Sequence, residues 1–185
     1  MVVALVTLVV LMIGAVALIR SMSASMSIAG AFGIKRDMAN QAANALAQVR
    51  TAMTTGALAS DTARGADNLA ANYFASIQPT TAEGIPTRLI VSDTDFTSAG
   101  FTTPPTVNGI TVRYLVDRLC SSTGPASSGN CMIGSTPVPL GASAGDLKGG
   151  GNASGAIVPQ AVYRLTIKVS GPLNAQAFYQ STFTI

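Results

Sequence analysis

The first nineteen residues constrain this chain most. Met1 to Ile19 reads MVVALVTLVVLMIGAVALI, with no charge, no Pro and one polar side chain, Thr7; Arg20 ends the run. As a helix this stretch spans roughly 28 Å, close to the hydrocarbon thickness of a bilayer. It is apolar all round, so it cannot be one face of a surface helix. It must lie in lipid or among other apolar helices. A cleaved signal peptide has a shorter apolar core, a basic start and a small-residue cleavage site. Here no Lys or Arg precedes the run, and Ala17-Leu18-Ile19-Arg20 leads into Ser21-Met22-Ser23. A retained membrane helix is the leading reading; a signal peptide and a buried core helix are the alternatives.

The helical pattern continues beyond Arg20. Ser21 to Ser27 is serine-rich but tolerates helix, and Gly30 and Gly33 follow. Two interior glycines cost about 1 kcal/mol each, so a kink or unwound turn is expected at residues 30–33. Ile34, Met38, Ala42, Leu46, Val49 and Met53 then recur at spacings of three and four, which makes one apolar stripe. The Met22/Met26 spacing reads as helix packing. Gly56 is placed to end the helix in a left-handed cap. The expected division is 1–20 as an apolar half-helix, 21–55 as its amphipathic continuation, and 56–185 as a globular domain.

Within that domain Asp67 to Ile77 reads as a short helix stopped by Pro79, and Arg88 to Val91 reads as strand-like. Asn108-Gly109 introduces a strand over Ile110 to Leu119. Ile110, Val112, Tyr114 and Val116 share its apolar face. A second strand is expected from Ala161 to Val169, with Tyr163, Leu165, Ile167 and Val169 inward and Arg164, Thr166 and Lys168 outward. Gly171-Pro172-Leu173-Asn174 is a turn, and Gln176 to Ile185 returns as a hairpin strand. Gly141 to Ala156 is rich in Gly, Ser and Ala and reads as a loop. The sum is an α+β domain: a long N-terminal helix whose amphipathic half packs on an antiparallel β-sheet.

Cys120 and Cys131 enclose ten small, polar residues, SSTGPASSGN. Two free thiols are one reading. Zinc is disfavoured, because the chain has no His and no third Cys to complete four ligands. An anchored chain facing an oxidising compartment would form the disulfide.

The chemistry of catalysis is thinly represented. Without His there is no Ser-His-Asp triad and no ordinary neutral-pH base. A Ser-Lys pair has candidates in Lys35, Lys148 and Lys168, but no motif frames one. Asp93-Thr94-Asp95 offers too few oxygens for calcium without help from the fold. Gly149-Gly150-Gly151 lacks the Lys-Ser/Thr of a phosphate loop. Asn152-Ala153-Ser154 fits a glycosylation pattern, with no modification expected. The 11 basic and 8 acidic residues give a net charge of +3 without a basic stripe, which argues against nucleic-acid binding. No enzyme activity, cofactor, metal or small-molecule substrate is expected.

Three stretches together resemble a known family. They are Ala17-Leu18-Ile19-Arg20-Ser21; Ile28-Ala29-Gly30 with Lys35-Arg36-Asp37 and Gln41-Ala42-Ala43-Asn44-Ala45; and Tyr163 to Val169 with Gly171-Pro172-Leu173-Asn174. With the apolar helix, the amphipathic continuation and the paired cysteines, the chain resembles the type IV pilins, and within them the PilX-type minor pilins. The first two stretches cover the N-terminal third and the last covers the final hairpin.

The resemblance implies a structural subunit that takes part in pilus assembly and twitching motility, with a place in the tip-priming complex or a part in adhesion as the finer alternatives. Its partners would be other minor pilins, the major pilin and a tip adhesin. It would sit in the bacterial inner membrane as a single-pass protein with a periplasmic domain, then in the extracellular filament. Pseudopilins of type II secretion systems and anchored binding or adhesion domains unrelated to pili are the alternatives. Prepilins carry a short basic leader ending in Gly. By the family pattern Met1 falls two or three residues inside the mature start, so truncation at an internal Met codon is expected. The family's acidic residue near the mature fifth position is missing, since none precedes Asp37; PilX-type subunits often lack it. Arg20, Lys35 and Arg36 alone would hold the domain in the cytoplasm. A basic leader would reverse that balance, and the cysteine pair argues for the outside.

Helix pairing in lipid depends on close packing and polar contacts. Ala4, Gly14, Ala15 and Ala17 supply small positions and Thr7 a hydroxyl. With the break expected at Gly30 and Gly33, they point to a helix that contacts other protein helices rather than a plain tether.

Overall fold

A computed structural model describes residues 1–103, 106–127, 129–134 and 160–185. The chain divides into two compact units, Met1–Asn40 and Gln41–Ile185. Gly141 to Ala156, Lys148, Gly149-Gly150-Gly151 and Asn152-Ala153-Ser154 lie outside the described residues.

Helix α1 runs from Val2 to Thr54, 53 residues. No Pro occurs before Pro79, so nothing in the sequence forces an end to it. The backbone remains helical through Gly30 and Gly33, where a kink or unwound turn is expected. Their propensity cost is about 1 kcal/mol each, and unwinding would forfeit several backbone hydrogen bonds in exchange. Gly56 does not adopt the left-handed cap, since the glycines with positive φ are Gly84, Gly100, Gly109 and Gly124. Instead it lies so close to the last turn that a Cβ there would stand 2.9 Å from Ala52 Cα. The last carbonyls of α1 find other donors: Gly56 N to Thr51 O at 3.2 Å, Leu58 N to Ala52 O at 3.1 Å and Arg64 Nη1 to Met53 O at 3.2 Å.

Beyond α1 come α2 (Asp61–Arg64), β1 (Tyr73–Phe74), α3 (Thr87–Ile90), α4 (Asp93–Ser98), β2 (Thr111–Arg118), β3 (Ile133–Gly134), β4 (Gln160–Ser170) and β5 (Gln176–Thr184). Strand β4 pairs antiparallel with β2, β3 and β5. The sheet is mixed rather than wholly antiparallel, because β1 runs parallel to β2, with Tyr73 beside Val116 and Phe74 beside Asp117. A parallel pair needs a crossover of a dozen or more residues, and the chain between Phe74 and Thr111 supplies it, carrying α3 and α4. The expected helix over residues 67–77 is only a 3-10 turn at Leu69–Ala71. It stops at Asn72, which is left-handed at φ 53°, a conformation Asn tolerates. The stretch expected as strand at Arg88 to Val91 is mostly the short helix α3. Ser92 then caps α4, accepting from Asp95 N at 3.1 Å and donating to Asp95 Oδ2 at 2.7 Å.

Strand alternation is legible in the register. Val112, Tyr114 and Val116 lie opposite Val169, Ile167 and Leu165 on one face. Phe183 and Ser181 join that face opposite Tyr163 and Leu165. Helix residues Ala42, Ala45, Val49 and Met53 are buried. Leu46, Arg50 and Thr54 of α1 share a groove with Ser181, Phe183 and Thr184 of β5, so the end of α1 covers this face. The opposite face is buried as well, against the expectation that Arg164, Thr166 and Lys168 point outward to solvent. Leu115 and Phe74 pack there with Leu89, Phe96 and Phe101 from the crossover. Arg113, Asp117, Thr166 and Lys168 are buried with them.

Candidate functional site

In the unit Met1–Asn40, residues 1–23 and 25–33 are all exposed. They include Leu5, Leu8, Ile13, Leu18, Met22, Met26 and Phe32. So large a continuous apolar surface is not stable against water and marks a membrane or protein interaction site. The helix is long and apolar enough to cross a membrane. Helical hydrogen bonding already satisfies the backbone groups, as lipid requires. Three hydroxyls are satisfied within the helix: Thr7 Oγ1 donates to Ala4 O at 2.9 Å, Ser23 Oγ to Ile19 O at 3.0 Å and Ser25 Oγ to Ser21 O at 3.0 Å.

Ala4, Thr7, Gly14, Ala15 and Ala17 are all exposed on this helix. At 3.6 residues per turn, Ala4, Thr7, Gly14 and Ala15 fall within an arc of roughly 100°, and Ala17 lies about 60° beyond Gly14. The small residues thus share one broad side. A Cβ added at Gly14, Gly30 or Gly33 would meet nothing within 4 Å, so no contact among the described residues accounts for those glycines.

In the unit Gln41–Ile185, Cys120 and Cys131 are joined by a disulfide. The enclosed loop is tied from within and without. Asn130 Oδ1 accepts from Ser127 N at 2.9 Å and from Ser127 Oγ at 2.8 Å. Gly124 N donates to Gly65 O at 2.7 Å, and Arg118 Nη2 donates to Gly124 O at 2.6 Å.

Sequence reasoning missed the buried polar groups that hold the distal loops. Arg64 Nη1 donates to three carbonyls, Met53 O, Leu58 O at 2.8 Å and Ala59 O at 3.0 Å, and its other arm meets Asp61. Asn72 exchanges two hydrogen bonds with the Thr102 backbone, at 2.6 and 2.7 Å. Asp117 takes a two-pronged contact from Arg164, with Nε to Oδ1 at 2.9 Å and Nη2 to Oδ2, and also accepts Gln78 N at 3.1 Å. Arg113 donates to Val91 O and Ser92 O, pairs with Asp93 at 3.1 Å, and lies 5.2 Å from the Phe96 ring centre. Asp93 and Asp95, considered as calcium ligands, are thus engaged by Arg113 and Ser92. The available signal was a charged residue inside an otherwise apolar strand, at Arg113, Asp117, Arg118 and Arg164.

Burial pushes the Tyr73, Tyr114 and Tyr163 hydroxyls above the ordinary tyrosine range. Tyr73 stays protonated and donates to Arg64 O at 2.7 Å. Burial, and next the charge of Arg113, lower the Lys168 pKa. A cavity of about 690 Å³ opens among Arg64, Gly65, Arg118, Ala126, Ala161 and Tyr163.

Comparison with protein-family models, with curated proteins and with solved structures yields no match.

Proposed function

We propose that the chain is a structural minor pilin of a type IV pilus, of the PilX type. The observation that carries this reading is a helix with two kinds of surface. Its first part is apolar through Ile19 and exposed at residues 1–23 and 25–33; its last part buries one stripe, Ala42, Ala45, Val49 and Met53. Such a subunit waits in the inner membrane with its sheet domain in the periplasm. It then enters a filament whose core is built from the apolar helices of its neighbours, the other minor pilins and the major pilin. The small side at Ala4, Thr7, Gly14, Ala15 and Ala17 supports helix contact, since apolar driving force between helices is weak in lipid. The disulfide suits a periplasmic and extracellular domain.

The test is genetic and biochemical. Deleting the gene in a pilus-bearing host is expected to reduce surface filaments and twitching, with the full chain restoring both. Unchanged piliation, together with absence of the chain from purified filaments, would overturn the reading.

A further inference from the structure

The cavity beside the disulfide loop has no role in the pilin reading, and its chemistry is specific. One wall is small and mostly apolar: Gly65, Ala66, Gly124, Pro125, Ala126, Ala161 and Ile185. Two guanidinium groups, one phenol, the Asp61 carboxylate, the Thr62 hydroxyl and the Gln160 amide complete it. Arg64 is engaged by three carbonyls and by Asp61. Arg118 is different. It is 1% exposed, and its hydrogen bonds are Nε to Ala75 O at 3.0 Å and Nη2 to Gly124 O at 2.6 Å. Both partners are neutral carbonyls. No carboxylate pairs with Arg118 among the described residues. Its Nη1 has no hydrogen-bond partner there either, and Arg64 Nε is likewise buried without one. A buried guanidinium without a carboxylate partner, at the wall of a cavity, is poised for an anion.

We propose that this cavity binds a monocarboxylate carried on a compact apolar body. The planar Arg118 fork matches a carboxylate, and the small apolar wall takes the body. The Tyr163 hydroxyl, kept protonated by burial, stands at the same cavity as a further donor. The volume lies within the range of small-ligand pockets. A free organic acid and the C-terminal carboxylate of a peptide present the same chemistry.

The full chain in detergent micelles is titrated calorimetrically with N-acetyl-leucine and with N-acetyl-leucinamide, which differ only in the carboxylate. The acid is expected to bind about tenfold or more tightly than the amide, the size of a charge-assisted hydrogen bond. A peptide ending in leucine distinguishes the sources: tighter binding than N-acetyl-leucine assigns the site to peptide termini, and equal binding to small acids. Arg118→Lys should abolish the preference for acid over amide. Because Arg118 also ties two loops, Ala126→Trp, at an exposed wall position, is the second variant; it fills the cavity without touching the core and should lose acid binding. Equal binding of acid and amide, no binding of either, or unaltered binding to Ala126→Trp would overturn the proposal.

Discussion

Arg64 shows how much one side chain organises. Its guanidinium gathers carbonyls from the end of α1 and from the loop after it, while Asp61, its ionic partner, is 98% exposed at its side chain. The carbonyl contacts therefore outweigh the ion pair. Arg64→Gln is expected to destabilise the domain by about 2–4 kcal/mol, because several buried acceptors lose their donor. Asp61→Asn should change stability by less than about 1 kcal/mol, as surface pairs do. Urea unfolding of both variants checks the contrast. The tyrosines set a pH limit. In the folded chain Tyr73, Tyr114 and Tyr163 hold their protons above the ordinary value of 10.0, while the unfolded chain releases them near it. The folded state then binds more protons, so stability is steady below pH 10 and falls as pH rises above it. Tyr73→Phe should flatten that alkaline slope, measured as Tm against pH. None of these roles was legible residue by residue. Alternation in β2 and β4 correctly assigned Arg113, Asp117, Arg164 and Lys168 to the face opposite the valines. It gave no sign that the crossover would bury that face and convert its charges into tethers.

At the scale of elements, the long helix and the three principal strands were legible, because apolar spacing at periods of 3.6 and 2 carries them directly. The two-residue strands β1 and β3, the parallel pairing, and the replacement of an expected strand by α3 were not. They depend on one left-handed asparagine and on long-range pairing rather than on local pattern. The stripe on α1 yields a direct test. A chain beginning at Ile34 retains Ala42, Ala45, Val49 and Met53 and should be soluble and folded. One beginning at Gly56 exposes Val112, Val116, Leu165 and Val169, and should aggregate. Size-exclusion chromatography distinguishes the two, and equally stable monomers would show that the helix contributes nothing to the sheet. The disulfide is a second element-level device. Denatured, unreduced protein should show no reactive thiol, and reduction should cost the domain about 2–3 kcal/mol, as the short loop implies on the chain-entropy model. Two titratable thiols would contradict it.

For the whole molecule, the account rests on the unit Met1–Asn40 being a helix that packs against other proteins. The contents of that unit are legible in the sequence: its length, its lack of charge before Arg20 and its small residues. The glycines are the exception. Gly30 and Gly33 read as a break but lie in unbroken helix, and nothing among the described residues packs on them. The most direct measurement compares the chain in sheared filaments with the chain left in the inner membrane of a pilus-bearing host. It is made for the natural sequence, for Gly14→Leu, and for Gly30→Ala with Gly33→Ala. The natural chain should be found in both fractions. Both variants should remain in the membrane while their share in the filaments falls. Undiminished incorporation of both variants would leave the helix as a simple tether, and failure of the natural chain to enter filaments at all would contradict the pilin assignment itself.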